Sequence, residues 1–445
     1  MSAPLRVESA ADAAGGEGAA MMRMIEELYP ICRSITGDGL RRSLGIVARH
    51  LPLALREVPS GTQAFDWTIP PEWNVRGAFI ATPDGRRLVD FADSNLHLVQ
   101  YSLPMDRIVT RDELLGHLHT IPEHPSWVPY RTSYYKEDWG FCLSERQART
   151  LTDAAYRVVI DTTLAPGHLT YGELEIKGAS SDEMLVSCHS CHPSLANDNL
   201  SGIAVATMLA RRLMSAPRRL TYRFLFIPGT IGSLAWLAAN EARVPRVKHG
   251  LVLSCVGDPA GFTYKQSRRG TAEIDRIVAH VLRHGGTAHR VLPFIPYGYD
   301  ERQYCSPGFD MPVGCFMRSP NGGYPEYHSS ADDLSLVRRE CLEESLENLW
   351  QIIGAVEGNE TYKNLSPKGE PQLGKRGLYR PMGGQQAQDF DQMSLLWVLN
   401  LADGDHSLLD MAERAGLPFA TMRAAADALA AAGLIAAGPV ESRKG

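Results

Sequence analysis

The feature that most constrains this chain is an alternation of short apolar runs and longer amphipathic segments between residues 156 and 356. The runs 183–188 and 222–227 have the length of buried strands, whereas 200–213 and 340–356 have the apolar spacing of helices. Strands that alternate with helices favour a mostly parallel sheet flanked by helices, because a parallel strand pair needs a crossover connection. The predicted fold class is therefore α/β.

The remaining segments do not follow this alternation of strands and helices. Residues 1–20, rich in Ala and Gly, are expected to form a disordered tail. Residues 57–129 contain short strands between turns rich in Pro and Gly, and we expect a small inserted β-rich domain there. The polar stretch 366–390 is expected to be a linker, and 391–440 has the helix spacing and terminal strand of a winged helix. The α/β domain is then discontinuous and consists of residues 21–56 and 130–365.

Composition narrows the functional classes. Of the 445 residues, 44% are hydrophobic and 22% are charged, which excludes a chain that is disordered throughout. The net charge of −6 gives the whole protein no electrostatic attraction to nucleic acid or to an anionic membrane. No apolar stretch reaches the roughly 18 residues that a membrane-spanning helix needs. Eight cysteines are too few for a disulfide scaffold of this length and are typical of a reducing compartment, so we expect a soluble cytoplasmic protein.

Histidines and a carboxylate meet at the predicted edge of the sheet. His189 and His192 follow a buried strand, and Asp198 comes just before a helix. His328 follows a later predicted strand, far along the chain. Imidazole and carboxylate are ligands that zinc takes in open catalytic sites, and the carboxyl ends of parallel strands lie at one edge of a sheet. The sequence therefore predicts a zinc site at this edge.

Other interpretations of the same residues compete with a catalytic metal site. Cys188 and Cys191 form a C-x-x-C pattern, which in other proteins is a redox pair or half of a structural zinc site. The pattern is followed here by a proline and a polar turn, not a helix, and no second cysteine pair occurs, which disfavours both. The sequence has no G-x-S-x-G elbow, no G-x-G-x-x-G motif and no phosphate loop. A lone loop histidine is most often an ordinary surface residue, and that alternative stays open.

Three segments carry a resemblance to a known group of enzymes. They are residues 189–202, HSCHPSLANDNLSG, residues 327–329, YHS, and residues 30–39, PICRSITGDG. The chain resembles the zinc aminopeptidase-like superfamily of co-catalytic metallopeptidases, and in particular a bacterial family with a winged-helix tail. Genes of that family often lie among polysaccharide or natural-product biosynthesis genes. The resemblance implies a zinc-dependent hydrolase of an amide or peptide bond, with His189, Asp198 and His328 as ligands and Asp198 at the metal-bridging position.

The chain departs from the superfamily pattern at positions that concern a second metal. A pair of glutamates is expected after the strand 222–227, but the equivalent stretch 226–233 contains no acid, and Gly229 stands where one is expected. The aspartate expected two residues after the strand-end histidine is replaced by Cys191. Asp258 is a candidate for the remaining metal-binding aspartate, and His192 is an additional candidate ligand. We expect one zinc ion, with three protein ligands and a water, and leave a second ion open.

The missing glutamates leave the proton acceptor to be found elsewhere. Candidates are Asp300 and Glu301, in the region that approaches the substrate in aminopeptidase-like chains, and Glu326 beside His328. A solvated loop is the ordinary alternative for the acidic pair. The candidates for substrate binding are Arg268, Tyr304 and Tyr327, of which Arg268 suits an acidic group. The expected substrate is a small molecule or a short peptide-like compound, such as a biosynthetic intermediate.

The winged-helix segment is itself acidic. Between residues 403 and 432, five Asp and Glu stand against two Arg, so we do not expect DNA binding. Contact with a protein partner, or with a second copy of the chain, is the expected role. Two alternatives to an active hydrolase remain open. One is a metal-binding scaffold with weak or no catalysis, and the other is a regulator that senses a ligand and signals through the winged helix.

Overall fold

The computed structural model describes residues 16–378 and 392–438. The strands in these ranges are β1 (Ala54–Pro59), β2 (Gln63–Ala64), β3 (Trp67–Thr68), β4 (Glu72–Ala81), β5 (Arg87–Asp90), β6 (Met105–Thr110), β7 (Leu118–His119), β8 (Phe141–Cys142), β9 (Ala155–Ala165), β10 (His168–Ile176), β11 (Glu183–His189), β12 (Thr221–Ile227), β13 (Val247–Leu253), β14 (Phe262–Lys265), β15 (His289–Leu292), β16 (Val313–Met317), β17 (Thr361–Asn364), β18 (Asp403–Ser407) and β19 (Ile435–Ala437).

The α-helices in the same ranges are α1 (Gly16–Leu28), α2 (Asp38–Ala48), α3 (Arg111–Gly116), α4 (Glu145–Arg149), α5 (Gly202–Met214), α6 (Ile231–Asn240), α7 (Glu273–His284), α8 (Glu301–Tyr304), α9 (Arg339–Gly358), α10 (Gln392–Leu401), α11 (Leu408–Ala415) and α12 (Phe419–Ala431). The chain forms two compact units. The described residues of the first are 16–272 and 290–346, and those of the second are 273–289, 347–378 and 392–438. No helix within these ranges is long and apolar enough to cross a membrane.

The first unit is built on an eight-stranded sheet with the order β1-β10-β12-β11-β13-β16-β14-β15. The four central strands run parallel to one another, whereas the pairs β1–β10, β10–β12 and β14–β16 are antiparallel. Every residue of β11 and β12 is buried, as expected for strands covered on both faces. The predicted α/β fold, with a sheet flanked by helices, is confirmed, and its parallel part is the centre of the sheet.

The parallel register brings three strand ends together at one edge. His189, the last residue of β11, is aligned with Ile227 at the end of β12. On the other side Ser187 is aligned with Val252, next to the end of β13. Side chains that follow β11, β12 and β13 therefore lie next to one another, and the loops after these strands build the site described below.

A second sheet in the first unit has the order β5-β4-β9-β6. Strands β4, β5 and β6 fall within the predicted β-rich insertion, residues 57–129. Their partner β9 comes from beyond it and pairs along β4 from Glu72↔Ala165 to Ala81↔Arg157. The β-rich part of the molecule is therefore completed by a strand that the sequence pattern assigned to the start of the α/β alternation.

The N-terminal helix begins earlier than the sequence pattern indicates. Residues 16–20, part of the predicted disordered tail, form the first turns of α1. The helix is stabilised by a buried apolar face that includes Met21, Met24, Ile25 and Leu28, spaced as one side of a helix. The rest of the predicted tail, residues 1–15, lies outside the described residues.

The second unit contains a three-stranded sheet, β18-β17-β19, with α10, α11 and α12. Helix α11 begins with a capping box between Ser407 and Asp410 and ends at Gly416, whose φ of 66° suits glycine. The central strand β17 precedes the predicted linker, so this sheet uses a strand outside the predicted range 391–440. Residues 379–391, which include much of the predicted linker, lie outside the described residues.

Candidate metal and active site

A network of buried hydrogen bonds fixes the loop that carries Asp198. The carboxylate of Asp332 accepts from the backbone N–H of Asn197 (2.6 Å) and from that of Asp198 (3.0 Å). Burial raises the pKa of Asp332 to about 7. The hydroxyl of Ser201 donates to the carbonyl of Asn197 (2.6 Å), and the amide of Asn199 donates to the carbonyl of Leu253 (2.9 Å). The loop is thus tied to the ends of neighbouring elements before any ligand binds.

Three imidazoles converge on the carboxylate of Asp198. Nε2 of His189 lies 2.7 Å from Oδ1, and Nε2 of His328 lies 3.0 Å from Oδ2. Nε2 of His192 is 4.0 Å from Oδ2. His189, His192 and Asp198 each offer a ligand atom, all within 4.8 Å of one another. The structure therefore brings His328, which lies far along the chain, to His189, His192 and Asp198.

The charge state of this cluster and its polar atoms without well-formed hydrogen bonds suit a metal ion. Burial opposes ionisation of Asp198, but His192, His189 and His328 outweigh it and hold the pKa of the carboxyl well below its usual range. Burial lowers the pKa of His192 well below its usual range, so this ring is neutral. Oδ2 of Asp198 and Nε2 of His328 make no well-formed hydrogen bond in the described residues, although they are close neighbours. Ligand atoms on one tetrahedral zinc are roughly 3.3 Å apart, so the donor set fits one ion.

Aromatic rings and one arginine contact the residues that carry the imidazoles and help to hold them in place. The ring of Tyr327 stacks on His328 at 3.9 Å, and Tyr130 lies 5.1 Å from both His192 and His328. His328 has a φ of 55°, and its carbonyl accepts from the N–H of Tyr130 (2.8 Å). The buried guanidinium of Arg33, from the segment 30–39, donates to the carbonyl of His192 (2.9 Å). Burial lowers the pKa of Arg33 to about 10.

Tyr299 packs on Gly229, at the position where the resemblance predicts an acidic side chain. A Cβ atom at Gly229 would lie 2.3 Å from Cε1 of Tyr299, so the ring packs directly on the glycine. The same ring stacks on His189, with centroids 3.6 Å apart. Its hydroxyl lies 3.4 Å from Nδ1 of His192 and 3.8 Å from Sγ of Cys191. Burial raises the pKa of Tyr299 well above its usual value and that of Cys191 to about 12, so both groups are protonated.

A cavity of about 420 Å³ opens beside this cluster. Its wall combines the imidazoles of His192 and His328 with aromatic rings, small residues and two arginines. The lining residues are Ile35, Trp67, Tyr130, Arg131, Thr132, Tyr134, Tyr135, Cys191, His192, Gly229, Thr230, Ile231, Gly298, Tyr299, Arg302 and His328. Such a concave pocket, with several aromatic rings and next to candidate metal ligands, is the natural place for a substrate.

Two of the predicted site carboxylates are used in other ways. Asp258 accepts from the Ser319 hydroxyl (2.9 Å) and from the Asn197 amide (2.9 Å), and also from two backbone N–H groups. Its oxygens are therefore satisfied within the protein, and among the described residues the group of candidate ligands within 4.8 Å of one another does not include it. Asp300 accepts from the N–H of Thr230 (2.6 Å) and the hydroxyl of Ser233 (3.1 Å) and does not line the cavity.

The other predicted catalytic and binding residues also lie away from the cavity wall. The carboxylate of Glu301 is buried and pairs with Lys265, so it is not a free base. Arg268 pairs with Asp310 (2.8 Å) on the surface. Tyr304 is fully buried and its hydroxyl contacts Ser187 (3.0 Å), which makes it a core residue. Two further candidates are also absent from the lining, namely Tyr327, which supports His328, and the partly exposed Glu326.

Sequence reasoning missed three residues that shape the site. Tyr299 is next to the predicted Asp300, but nothing in the pattern showed that it would cover Gly229. Asp332 looks like a helix cap in sequence, and only the structure shows that it holds the Asp198 loop. Arg302 follows the predicted acidic pair and lines the cavity, where Asp300 and Glu301 do not. All three effects depend on contacts between residues far apart in the chain.

The fold and the site define an aminopeptidase-like domain followed by a winged helix. Residues 22–359 match the model of a family described as a domain of unknown function, DUF4910, and residues 360–437 match a winged helix-turn-helix family. The chain belongs to the DUF4910 family. It is 48% identical, over 93% of its length and 95% of the relative's, to a Clostridium acetobutylicum protein whose name assigns it provisionally to polysaccharide biosynthesis, with an aminopeptidase-like domain.

Solved structures support the same assignment. A crystal structure from Clostridium acetobutylicum, described provisionally as a peptidase, has a TM-score of 0.90 and 46% identity, and the match covers 94% of this chain and 96% of that one. BSAP, a zinc aminopeptidase from Bacillus subtilis, matches with a TM-score of 0.55 and 15% identity over 76% of this chain and 94% of its own. The predicted resemblance to zinc aminopeptidases with a winged-helix tail is thereby confirmed, and the distant match concerns the fold alone.

Proposed function

We propose that this protein is a metal-dependent hydrolase that cleaves an amide bond in a small molecule, with zinc held by three of the residues His189, His192, Asp198 and His328 and a fourth position open to water. The observation that carries the proposal is the pair of buried atoms Oδ2 of Asp198 and Nε2 of His328, which lie 3.0 Å apart beside a cavity and make no well-formed hydrogen bond. Both atoms carry lone pairs, and a cation between them would satisfy both. The zinc aminopeptidase fold of the distant neighbours supports the choice of metal.

Zinc bound here would supply an activated water and polarise the amide carbonyl. Water adds across the C–N bond, so that the acyl carbon gains a hydroxyl and the amine nitrogen gains a proton. Asp332 keeps the Asp198 carboxylate in place, and the stack of Tyr327 keeps His328 in its orientation. A metal-bound imidazole usually donates its other N–H to an outer acceptor. For His192 the acceptors beside Nδ1 are the hydroxyl of Tyr299 and the sulfur of Cys191.

The phenol of Tyr299 is the polar group that replaces the missing acids. It is protonated, so it can donate a hydrogen bond to a substrate oxygen but is not a strong base. No Asp or Glu lines the cavity among its residues, all of which lie in the described range 35–328. Loss of a general base costs roughly 10²–10⁴-fold in rate, so we expect turnover slower than that of a hydrolase with such a base. A small pool of a biosynthetic intermediate is a substrate for which slow turnover suffices.

The experiment is a zinc analysis by mass spectrometry of the full-length protein and three variants. We expect about one zinc ion per native chain and a loss of zinc in both His189→Ala and Asp198→Ala. Asp258→Asn is the matched control, because this buried carboxylate is satisfied by protein donors and should leave the zinc content unchanged. Unchanged zinc in His189→Ala and Asp198→Ala would refute the site, and loss of zinc in Asp258→Asn would restore Asp258 as a ligand.

Catalysis is tested separately, with a panel of aminoacyl, N-acyl and peptidyl amides and the zinc-loaded protein. Slow release of amine that disappears in Asp198→Ala is the expected result. A protein that holds zinc tightly and cleaves no member of the panel would favour the alternative of a metal-binding scaffold, for which the absence of a lining carboxylate is the supporting observation. A cytoplasmic location and a protein partner for the winged helix stay expectations from the sequence.

A further inference from the structure

The wall of the cavity beside the imidazoles contains arginine but no carboxylate side chain. Arg302 lines the cavity and forms no ion pair with a described Asp or Glu, and Arg131, which also contributes to the wall, is exposed to solvent. One guanidinium nitrogen of Arg302 donates weakly to the hydroxyl of Thr230 (3.3 Å). Its Nε is buried and has no hydrogen-bond partner in the part of the chain that the structure describes. A buried donor without an acceptor is costly, so this N–H is placed for an acceptor that the protein does not provide.

The same wall offers no carboxylate to a free amino terminus. An aminopeptidase substrate presents an α-ammonium group, which needs carboxylate or carbonyl acceptors. Asp300 and Glu301, which the sequence suggested as proton acceptors, do not line the cavity, because Asp300 accepts from Thr230 and Ser233 and Glu301 pairs with Lys265. An ammonium group in the cavity would instead meet the guanidinium of Arg302, and like charges in a partly dry pocket repel.

The remaining wall suits a compact molecule with a flat or apolar part. Trp67 and Tyr135 meet edge to face at 5.1 Å, and both belong to the lining. Tyr130, Tyr134 and Tyr299 supply further rings. A volume of about 420 Å³ lies in the usual range for small-ligand pockets and leaves little room for a polypeptide segment.

We propose that this cavity is an anion subsite, in which Arg302 and Arg131 bind a carboxylate or phosphate carried by a small amide substrate. A free amino terminus on that substrate is not required. The identity of the reaction rests on the proposed hydrolase function, but binding of the anion does not. Guanidinium groups bind carboxylate and phosphate through charged, paired hydrogen bonds, and Nε with one terminal nitrogen is a common bidentate edge. Thr230, which contacts Arg302, adds a hydroxyl on the same wall.

The test measures binding to the zinc-loaded, full-length protein by calorimetry with matched probes. Hippurate and hippuramide share an aromatic ring and an amide bond and differ in carboxylate against carboxamide. N-Benzoylethanolamine phosphate and N-benzoylethanolamine form the phosphate pair, and phenylalaninamide is the free-amine probe. We expect one anionic probe to bind roughly 10- to 100-fold more tightly than its neutral partner. The more tightly bound of the two anions identifies the anionic group.

Variants assign the preference to the arginines. Arg302→Gln should bring the anionic probe to within a few-fold of its neutral partner, Arg131→Gln should reduce the preference in part, and Arg302→Lys should retain some of it. Arg268→Gln is the matched control, because Arg268 pairs with Asp310 away from the cavity and should leave the preference unchanged. Circular dichroism and zinc content show whether Arg302→Gln is folded, and Arg131→Gln provides the second test if it is not.

The outcomes separate the two proposals. Equal affinity for charged and neutral probes, no binding of either anion at millimolar concentration, or tighter binding of phenylalaninamide would overturn the anion subsite. Hydrolysis of neutral amides without any anion preference would overturn the subsite and leave the hydrolase intact. Anion preference that depends on Arg302, with no hydrolysis of any probe, would support the subsite and count against the hydrolase.

Discussion

The ring of Tyr299 lies on the imidazole of His189, with centroids 3.6 Å apart and planes 21° from parallel. The same ring occupies the space above Gly229, where the aminopeptidase pattern predicts an acidic side chain. A single residue therefore covers both a candidate metal ligand and the position of the missing acid. The glycine and the tyrosine depend on each other, since any larger residue at 229 would displace the ring.

Removal of the Tyr299 hydroxyl should affect function more than stability. Tyr299→Phe keeps the ring on His189 and Gly229 but loses the oxygen beside Nδ1 of His192. Loss of an outer partner of a metal ligand typically costs 10- to 100-fold in metal affinity or activity, and we expect roughly that here. The measurements are zinc affinity by competition with a chromophoric chelator and the rate of amide hydrolysis. A Phe variant equal to the native protein in both would assign Tyr299 to packing alone.

Gly229→Ala should disrupt the same pair by steric overlap. The new Cβ would lie 2.3 Å from Cε1 and 2.4 Å from the hydroxyl oxygen of Tyr299, so the ring must move off His189. Overpacking of this kind costs about 1–3 kcal/mol, measurable by urea unfolding. Gly45→Ala is the control, because its Cβ meets nothing within 4 Å and it lies inside α2, where alanine should be neutral or stabilising. In a Tyr299→Ala background the cost of Gly229→Ala should largely vanish, and a cost that persists would contradict the steric explanation.

Local patterns were sufficient for the sheet and for the main ligand candidates. The apolar runs of β11 and β12 predict buried parallel strands, and parallel strands place His189 and Asp198 at one edge. His328 was also recognisable from its Tyr-His context, although it comes from far along the chain. These features depend on periodicity and on chain direction, which a sequence displays directly.

Contacts between distant segments were not predictable from the sequence. Asp258 has the right residue type after β13, but its oxygens bind Ser319 and Asn197. Asp300 and Glu301 have the residue type expected of a proton acceptor. Asp300 instead accepts from the backbone N–H at the start of α6, and Glu301 pairs with Lys265. In each case burial and hydrogen bonding decide what the carboxylate does, and neither is visible in the order of residues. The pairing of β9 with the β-rich sheet was not predictable for the same reason, because its partner β4 lies far earlier in the chain.

Asp300 should make stability fall as pH rises through the weakly acidic range. Burial raises its pKa to about 6 in the folded protein, above the ordinary value of 3.8. Between these values the folded state holds a proton that the unfolded state has lost. The stabilisation that this proton provides is fully present below about pH 4 and is lost as the pH rises through about 6. The free energy of unfolding, taken relative to Asp300→Asn, should drop by up to roughly 3 kcal/mol between pH 4 and 7. Urea titrations at several pH values measure it, and a pH-independent difference between the two proteins would contradict the assignment.

Arg223 should be essential for the stability of the main sheet. Its guanidinium is buried and binds Glu173 (2.6 Å), Glu175 (2.6 Å) and Glu183 (2.7 Å), of which Glu173 and Glu183 are also buried. Arg223→Gln leaves these charges without their shared cation, and we expect a loss of about 3–5 kcal/mol in the free energy of unfolding. The exposed pair of Arg76 with Asp161 is the control, and Arg76→Gln should cost at most about 1 kcal/mol. Equal effects of the two substitutions would show that the buried network contributes no more than a surface pair.

The winged helix should not bind DNA through α12. The one basic residue of this helix, Arg423, donates to both oxygens of Asp427 (3.0 and 3.1 Å) and to the carbonyl of Gly358 (3.3 Å). A helix with its single cation already paired releases few counterions from a phosphate backbone. Fluorescence anisotropy with a labelled duplex at low salt should therefore show no saturable binding by the full-length protein. Saturable binding that weakens steeply with salt, and that Arg423→Gln abolishes, would instead establish α12 as a DNA-contacting helix. That result would favour the alternative function of a regulator that signals through the winged helix.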